Sequence, residues 1–248
     1  MNHTFQIVYA SDKSNPDEVH PYFKDEFEAM RNVGIVVGTK PFDRSERLMY
    51  RGTTISEKEN YPNDSRYIHT PDINYNYLYL SAYYPLIADL SIETHFYEEL
   101  DNNVLQLLKD NNWKKVFIKK DHRALEHIDE NKSVYPGTSF EEMIKLYDEM
   151  NVNGKFAIRK YIERPGLFFE NELRYWILNG KVYRKDHIVP DIVMEAVKRL
   201  NTMGGKYYTI DATPEFIIEV NPGESSDRHA ENSAELFASW IKNEFVKK

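Results

Sequence analysis

The sequence predicts a mixed fold of strands and helices, α+β or mixed α/β, and three observations carry that expectation. Residues 5–38 read as strand, helix, strand. ELRYWILNGKVYR and YYTIDATPEFIIEVN each read as an antiparallel hairpin. Helices with apolar stripes alternate with these pieces, a pattern of mixed layers and not of an all-helical or all-β chain.

Taken in order, FQIVYA at 5–10 has the β-branched and aromatic content of a strand, 22–33 that of an amphipathic helix, and GIVVG at 34–38 that of a second strand. RLMYRG follows as an apolar stretch ending at Arg51 and Gly52. Residues 61–97 hold many tyrosines, several prolines and little periodicity, so they are expected to be irregular and to pack over the first part. Near residue 97 the periodicity sharpens, which sets an expected boundary between residues 1–96 and 97–248. Leu100, Val104, Leu107 and Leu108 mark a helical stripe, and WKKVFIKK reads as a strand. SFEEMIKLYDEM reads as a helix opened by a capping box of Ser139 and Glu142, and KFAIRKYIE as another strand. Asn179-Gly180 tolerates positive φ at both central turn positions and so predicts a tight hairpin. A final helix gathers Leu236, Phe237, Trp240, Ile241 and Phe245 on one face.

Composition narrows the function classes. A chain of 248 residues, 41% hydrophobic and 29% charged, can bury a sizeable core. Its formal net charge of −8 argues against general nucleic-acid binding or attraction to an anionic membrane. No apolar run is long enough to span a bilayer and the first residues lack a signal-peptide pattern, so the expected location is cytoplasmic. The absence of cysteine excludes disulfides, thiolate metal sites and a cysteine nucleophile. The 18 tyrosines could fill cores, line a substrate cleft or form an interface such as that of a homodimer.

The hairpin at 207–221 carries the densest chemistry. Strand alternation puts Glu219 and Asn221 on one face roughly 7 Å apart. A short turn at Pro214 and Glu215 with an odd number of loop residues would set Asp211 directly across from Glu219. Two carboxylates and an amide oxygen suit Mg²⁺, although the same residues also describe a solvated hairpin face. Four cations lie on or just after predicted strands: Lys119, Arg159, Arg174 and Arg184. Each alone reads as a surface or salt-bridged side chain, but together with the hairpin they supply what a triphosphate needs. GIVVG and MGGK fit neither glycine-rich phosphate loop, and His122 and His127 have the wrong separation for a zinc site on one helical face. Asp227, Arg228 and His229, just past the hairpin, could reach an acceptor substrate.

The order of these motifs resembles the ATP-grasp superfamily over residues 97–248: VFIKK with Lys119, a helix, FAIRKYIE, ELRYWILNGKV with Arg174, TIDAT with Asp211, and IIEVNPG with Glu219 and Asn221. RLMYRGTTIS with Arg51, FIKKDHRAL with Lys119 and Arg123, and IRKYIE with Arg159 are similar to the ATP-grasp clade named for its two arginines and one lysine. The sequence departs from that clade in a shorter hairpin between Asp211 and Glu219 and in its EVNPG ending. The resemblance implies an N-terminal α/β pre-ATP-grasp domain at 1–96, then an ATP-grasp domain with a lid at about 104–158 and a metal-binding part at about 159–248. It implies an ATP-dependent carboxylate-amine or peptide ligase acting through an acylphosphate, with ATP and Mg²⁺ as cofactors and a small molecule or peptide terminus as substrate. Lys119 would hold the α/β-phosphates, Arg174 the γ-phosphate and acylphosphate, and Asp211, Glu219 and Asn221 the metal. Arg159 and Arg184 would lie near the nucleotide, with Tyr161 and Ile162 at the adenine and Glu163 at the ribose. Arg51, Arg123 and Arg228 are the candidates for the acceptor carboxylate. A kinase or phosphotransferase of the same fold, or a nucleotide-binding module without turnover, is the alternative.

Overall fold

The computed structural model describes residues 5–99, 106–107, 109–113, 116–122, 141–142, 145, 155–162, 172–228 and 232–246. The helix expected around Ser139, most of the stripe begun at Leu100, and Arg123 and Glu163 lie outside these residues.

The chain opens with β1 (Phe5–Tyr9), a 3-10 turn (Pro21–Phe23), α1 (Lys24–Asn32), β2 (Val36–Gly38) and β3 (Arg47–Arg51). These strands form a parallel sheet in the order β2-β1-β3, so the strand-helix-strand beginning is present as read. The stretch expected to be irregular is instead largely helical. It contains α2 (Pro71–Leu78) and α3 (Leu80–Ile87), followed by β4 (Thr94–Tyr97). Thr70 caps α2 by accepting from the Ile73 amide, and Pro71 takes the first helical position, where its missing N–H costs nothing. Tyrosines do the apolar work here: Tyr77 and Tyr83 are buried, and the Tyr77 ring lies 4.4 Å from Tyr208.

β4 pairs with β6 (Phe156–Lys160), whose other edge pairs with β5 (Val116–Lys120), giving an antiparallel sheet ordered β4-β6-β5. The last sheet is also antiparallel, ordered β10-β9-β7-β8, from β7 (Leu173–Leu178), β8 (Lys181–Tyr183), β9 (Tyr207–Ala212) and β10 (Ile217–Pro222). The turn between β7 and β8 has φ of 51° at Asn179 and 83° at Gly180, the geometry that favours these two residue types. The last part of the chain also contributes α4 (Asp191–Leu200) and α5 (Ala234–Phe245).

Alternation divides the residues of this last sheet between two faces. Tyr175, Ile177, Tyr208, Ile210 and Val220 pack with α2, α3 and α4, where Val193, Ala196, Val197 and Leu200 supply the α4 stripe. Trp176, Leu178 and Tyr207 pack on the other face against Phe237, Ala238 and Ile241 of α5, and through them against Ile7 of the first sheet and Met30 of α1. That second face is apolar only at one end. Toward the other end the same alternation brings Arg174, Asp211 and Glu219 into line, so one sheet face is half core and half polar site.

β5 is tied to α3 at the position that matters for Lys119. The Asp121 carboxylate accepts from the Ser81 amide at 2.7 Å and from its hydroxyl at 2.5 Å, capping α3 from the residue that follows β5. We expect Asp121→Ala to cost about 1 kcal/mol of stability, the usual loss for a helix cap, read as a lower denaturant midpoint at unchanged slope.

Candidate nucleotide and metal site

Asp211 and Glu219 are direct cross-strand partners. The route to that pairing differs from the sequence expectation. The loop after β9 is four residues, 213–216, an even number, and Thr213 Oγ1 organises it by accepting from the amides of Glu215 and Phe216. Ile217 pairs with Ala212, and a β-bulge at Ile218 then brings Glu219 opposite Asp211. Asn221 follows two positions on, opposite Thr209.

Each carboxylate is engaged by a cation from another strand. Arg174, directly across from Asp211 on β7, holds it with a two-pronged fork, Nε to Oδ1 at 2.7 Å and Nη2 to Oδ2 at 2.6 Å. Its third nitrogen, Nη1, donates to the Asp227 carbonyl at 2.9 Å. Lys119 reaches from β5, in the other antiparallel sheet, to the Glu219 carboxylate. Burial pushes the Glu219 carboxyl up, but Lys119, a hydrogen bond from Asn221 and the Arg174 charge outweigh it and leave it below the ordinary glutamate range. Burial also works against the Arg174 charge, and Asp211 overcomes it, so the guanidinium is held more firmly protonated than usual.

The sign of the Glu219 shift fixes a pH dependence. A carboxyl whose folded pKa is depressed adds stability that is present above the ordinary glutamate range and is lost as pH falls through the depressed value. We therefore expect Glu219→Gln to be less stable than wild type at neutral pH, with the gap closing as the protein is acidified. A gap that is constant from neutral to acid pH would contradict the pairing.

The donor set suits a hard divalent ion: two carboxylates and an amide oxygen at one end of a sheet. Among the described residues no group of three or more His, Asp or Glu side chains is arranged to hold a metal by itself. A set with two carboxylates matches the Mg²⁺ habit of relying on substrate phosphates for further oxygens.

Among the other expected site residues, the arginines are held by partners of their own. Arg159 is 1% exposed, and its guanidinium donates to the Ile218 carbonyl at 2.9 Å and to Thr94 Oγ1 at 3.0 Å. Arg184 lies over the Tyr175 ring at 5.6 Å and bonds Asp186. Tyr175 belongs to the face covered by α4, opposite Arg174, so the structure places Arg184 away from the Asp211 and Glu219 face. Tyr161 and Ile162 directly follow β6 and are half-buried. Arg51 and Arg228 line one cleft of about 310 Å³ together with Tyr22, Phe23, Asp25 and Asp227. Arg51 is nevertheless committed to structure: Nε and Nη2 fork the Glu26 carboxylate, and Nη1 donates to the carbonyls of Gly223, Glu224 and Ser226. Arg228 bonds the Asp25 carboxylate and the Asn232 carbonyl, both at 2.7 Å. The sequence reading missed the Asp227 backbone as a partner of Arg174, because no side-chain pattern reports a carbonyl.

No protein-family profile matches the chain, and no curated protein sequence does. Solved structures do match over nearly the whole length. The D-cycloserine synthetase DcsG superposes with a TM-score of 0.66 at 14% identity, covering 96% of this chain and 99% of that one. The macrocyclase MdnC from Microcystis aeruginosa MRC, bound with precursor peptide MdnA, gives 0.59 at 11% identity over 98% and 100%. The ATP-grasp ligase PsnB, complexed with precursor peptide PsnA2 and AMPPNP, gives 0.61 at 8% identity over 98% of each chain. With three sheets in the order described and this likeness end to end, the chain has the ATP-grasp fold.

Proposed function

We propose that this chain is an ATP-dependent ligase that joins a carboxylate to an amine, with Mg²⁺, through an acylphosphate. The observation that carries the reading is the pair of cross-strand carboxylates, Asp211 and Glu219, each already matched to a cation, Arg174 and Lys119, on an ATP-grasp fold. Neighbours of this fold whose structures hold a nucleotide, Mg or a precursor peptide support the same reading.

The chemistry follows from charge. Two carboxylates and two cations neutralise one another in the described site, and Mg·ATP offers each a replacement partner, so loading leaves no buried charge uncompensated. Asp211, Glu219 and Asn221 would hold the metal, which when bound supplies charge neutralisation at the phosphates. Lys119 would turn to the α/β-phosphates. Arg174 would orient the γ-phosphate and stabilise the charge that develops as a substrate carboxylate attacks it and ADP leaves. An amine then attacks the acyl carbon, phosphate departs, and an amide forms. The protein's part is positioning and electrostatics, since no residue forms a covalent intermediate in this scheme. The substrate is a small molecule or a peptide terminus, the latter supported by the precursor peptides of MdnC and PsnB.

The deciding experiment is incubation with Mg·ATP and a fractionated mixture of metabolites and peptides, followed by phosphorus NMR. ADP and free phosphate appearing together with one fraction is the expected result. ADP with the phosphate retained on an acceptor would make the protein a kinase instead. Lys119→Ala should weaken Mg·ATP binding by one to two orders of magnitude, roughly the loss of one or two charge-assisted bonds, while circular dichroism stays unchanged.

A further inference from the structure

The bulge in β10 decides which side chains face the site. Were the ladder to run on unbroken from Ile217 and Ala212, Ile218 would stand opposite Asp211, and Glu219 and Asn221 would point to the face of Ile210, under the helices. One extra residue reverses this. The metal-ligand constellation therefore depends on a local irregularity, and an extra residue in a strand disrupts the ladder that would otherwise hold its carbonyls.

The two carbonyls that flank this irregularity are held from outside the sheet. Ser91 Oγ donates to the Ile217 carbonyl at 2.8 Å, where Ser91 and Ile217 also form an isolated bridge. Arg159 Nη1 donates to the Ile218 carbonyl at 2.9 Å. The rest of the guanidinium is fixed by the same short segment: Nε donates to Thr94 Oγ1 at 3.0 Å and Nη2 to Ser91 Oγ at 3.4 Å. Thr94 Oγ1 in turn donates to the Ile92 carbonyl at 2.7 Å. Arg159 and Lys119 sit in adjacent strands of one sheet, and they grip consecutive residues of β10, one at the Ile218 backbone and one at the Glu219 carboxylate.

We propose that Arg159 is a positioning residue, whose guanidinium, braced by Ser91 and Thr94, fixes the β10 bulge and thereby turns Glu219 and Asn221 toward Asp211. The inference rests on the reading of those three residues as metal ligands. It assigns Arg159 a role in metal-site geometry through the backbone, in place of direct contact with the nucleotide.

Three variants test it: Arg159→Met, Arg159→Lys, and the double variant Ser91→Ala, Thr94→Val, whose positions brace Arg159. The first readout is the Mg²⁺ concentration needed for calorimetric binding of AMPPNP, together with AMPPNP affinity without Mg²⁺. A brace predicts that Arg159→Met and the double variant both raise the Mg²⁺ requirement about 10-fold to 100-fold, as for outer-shell partners of metal ligands, with Mg²⁺-free affinity unchanged. Arg159→Lys, which keeps one donor, should recover part of the loss. Weakened Mg²⁺-free binding in Arg159→Met, with a silent double variant, would overturn the proposal in favour of direct phosphate contact. The second readout needs no nucleotide. Amide exchange over 217–221 in the free protein should speed up by about tenfold or more in Arg159→Met and in the double variant, with β7 unaffected, and unchanged exchange there overturns the brace. If wild type binds no Mg·AMPPNP, the ligase reading fails by itself, while the exchange result still decides the role of Arg159.

Discussion

Replacing Glu219 by alanine should lower Mg²⁺-dependent ATP turnover by on the order of 10²–10³-fold or more, the scale seen when one group stabilising a transition state is removed. Two losses combine in this variant. The proposed metal site loses one of its two carboxylates, and Lys119, 8% exposed at its side chain, loses its partner. A cation left buried without compensation destabilises the closed arrangement of β5 against β10 independently of any metal. Glu219→Gln separates the effects, because it retains a hydrogen-bond acceptor for Lys119 and removes only the charge. We expect Glu219→Gln to be folded and nearly as inactive as Glu219→Ala, measured as ADP release over a range of Mg²⁺ concentrations. Normal ADP release from either variant would remove Glu219 from the site.

How much of this was legible in the sequence depends on whether the signal is local. Asn179-Gly180 declared its turn because tolerance of positive φ is local to those two residue types and needs no distant partner. The β9 and β10 hairpin was legible as two strands carrying three candidate oxygen ligands, and the pairing of Asp211 with Glu219 was anticipated. Its cause was not, since an even loop plus a bulge gives the same partner as an odd loop, and only the bulge needs Ser91 and Arg159. The helices at 71–87 escaped because tyrosines supply their buried face and Pro85 lies inside the second, so neither apolar periodicity nor the absence of breakers marked them. α4 went unread, although Val193, Ala196, Val197 and Leu200 are spaced along one face after Pro190. The arginines show the deeper limit. Charge is visible in a sequence, but the partner that claims it is not, and Arg51, Arg159, Arg174 and Arg184 have four different fates.

Arg51 leads to the second large effect, and it is an effect on stability. Its side chain is 2% exposed and that of Glu26 is 3%, so the pair is sealed between α1, β3 and the turn after β10. The guanidinium also lies 5.5 Å from the Trp176 ring and 5.2 Å from that of Phe23, joining the first sheet to the last. Burial works against its charge, and Glu26 outweighs it, so the group stays protonated throughout the accessible pH range. Arg51→Met would leave a buried carboxylate without a counter-charge and take one donor from each of three carbonyls, a loss of about 3–5 kcal/mol. For a chain of this length that is a fall in melting temperature on the order of 10 °C. Removing both charges as Arg51→Met with Glu26→Leu should restore a large part of it, because two apolar side chains of matching size leave no buried charge uncompensated, and only the Tyr9 hydroxyl and the three carbonyls each lose a bond. The same loss reaches the site. Arg51 holds the carbonyls of Gly223, Glu224 and Ser226, and the next residue, Asp227, supplies the carbonyl that steadies Arg174. The double variant should therefore be stable yet slower, with a lower kcat and a substrate KM that barely moves. A raised acceptor KM at unchanged melting temperature in Arg51→Met would instead return Arg51 to the substrate.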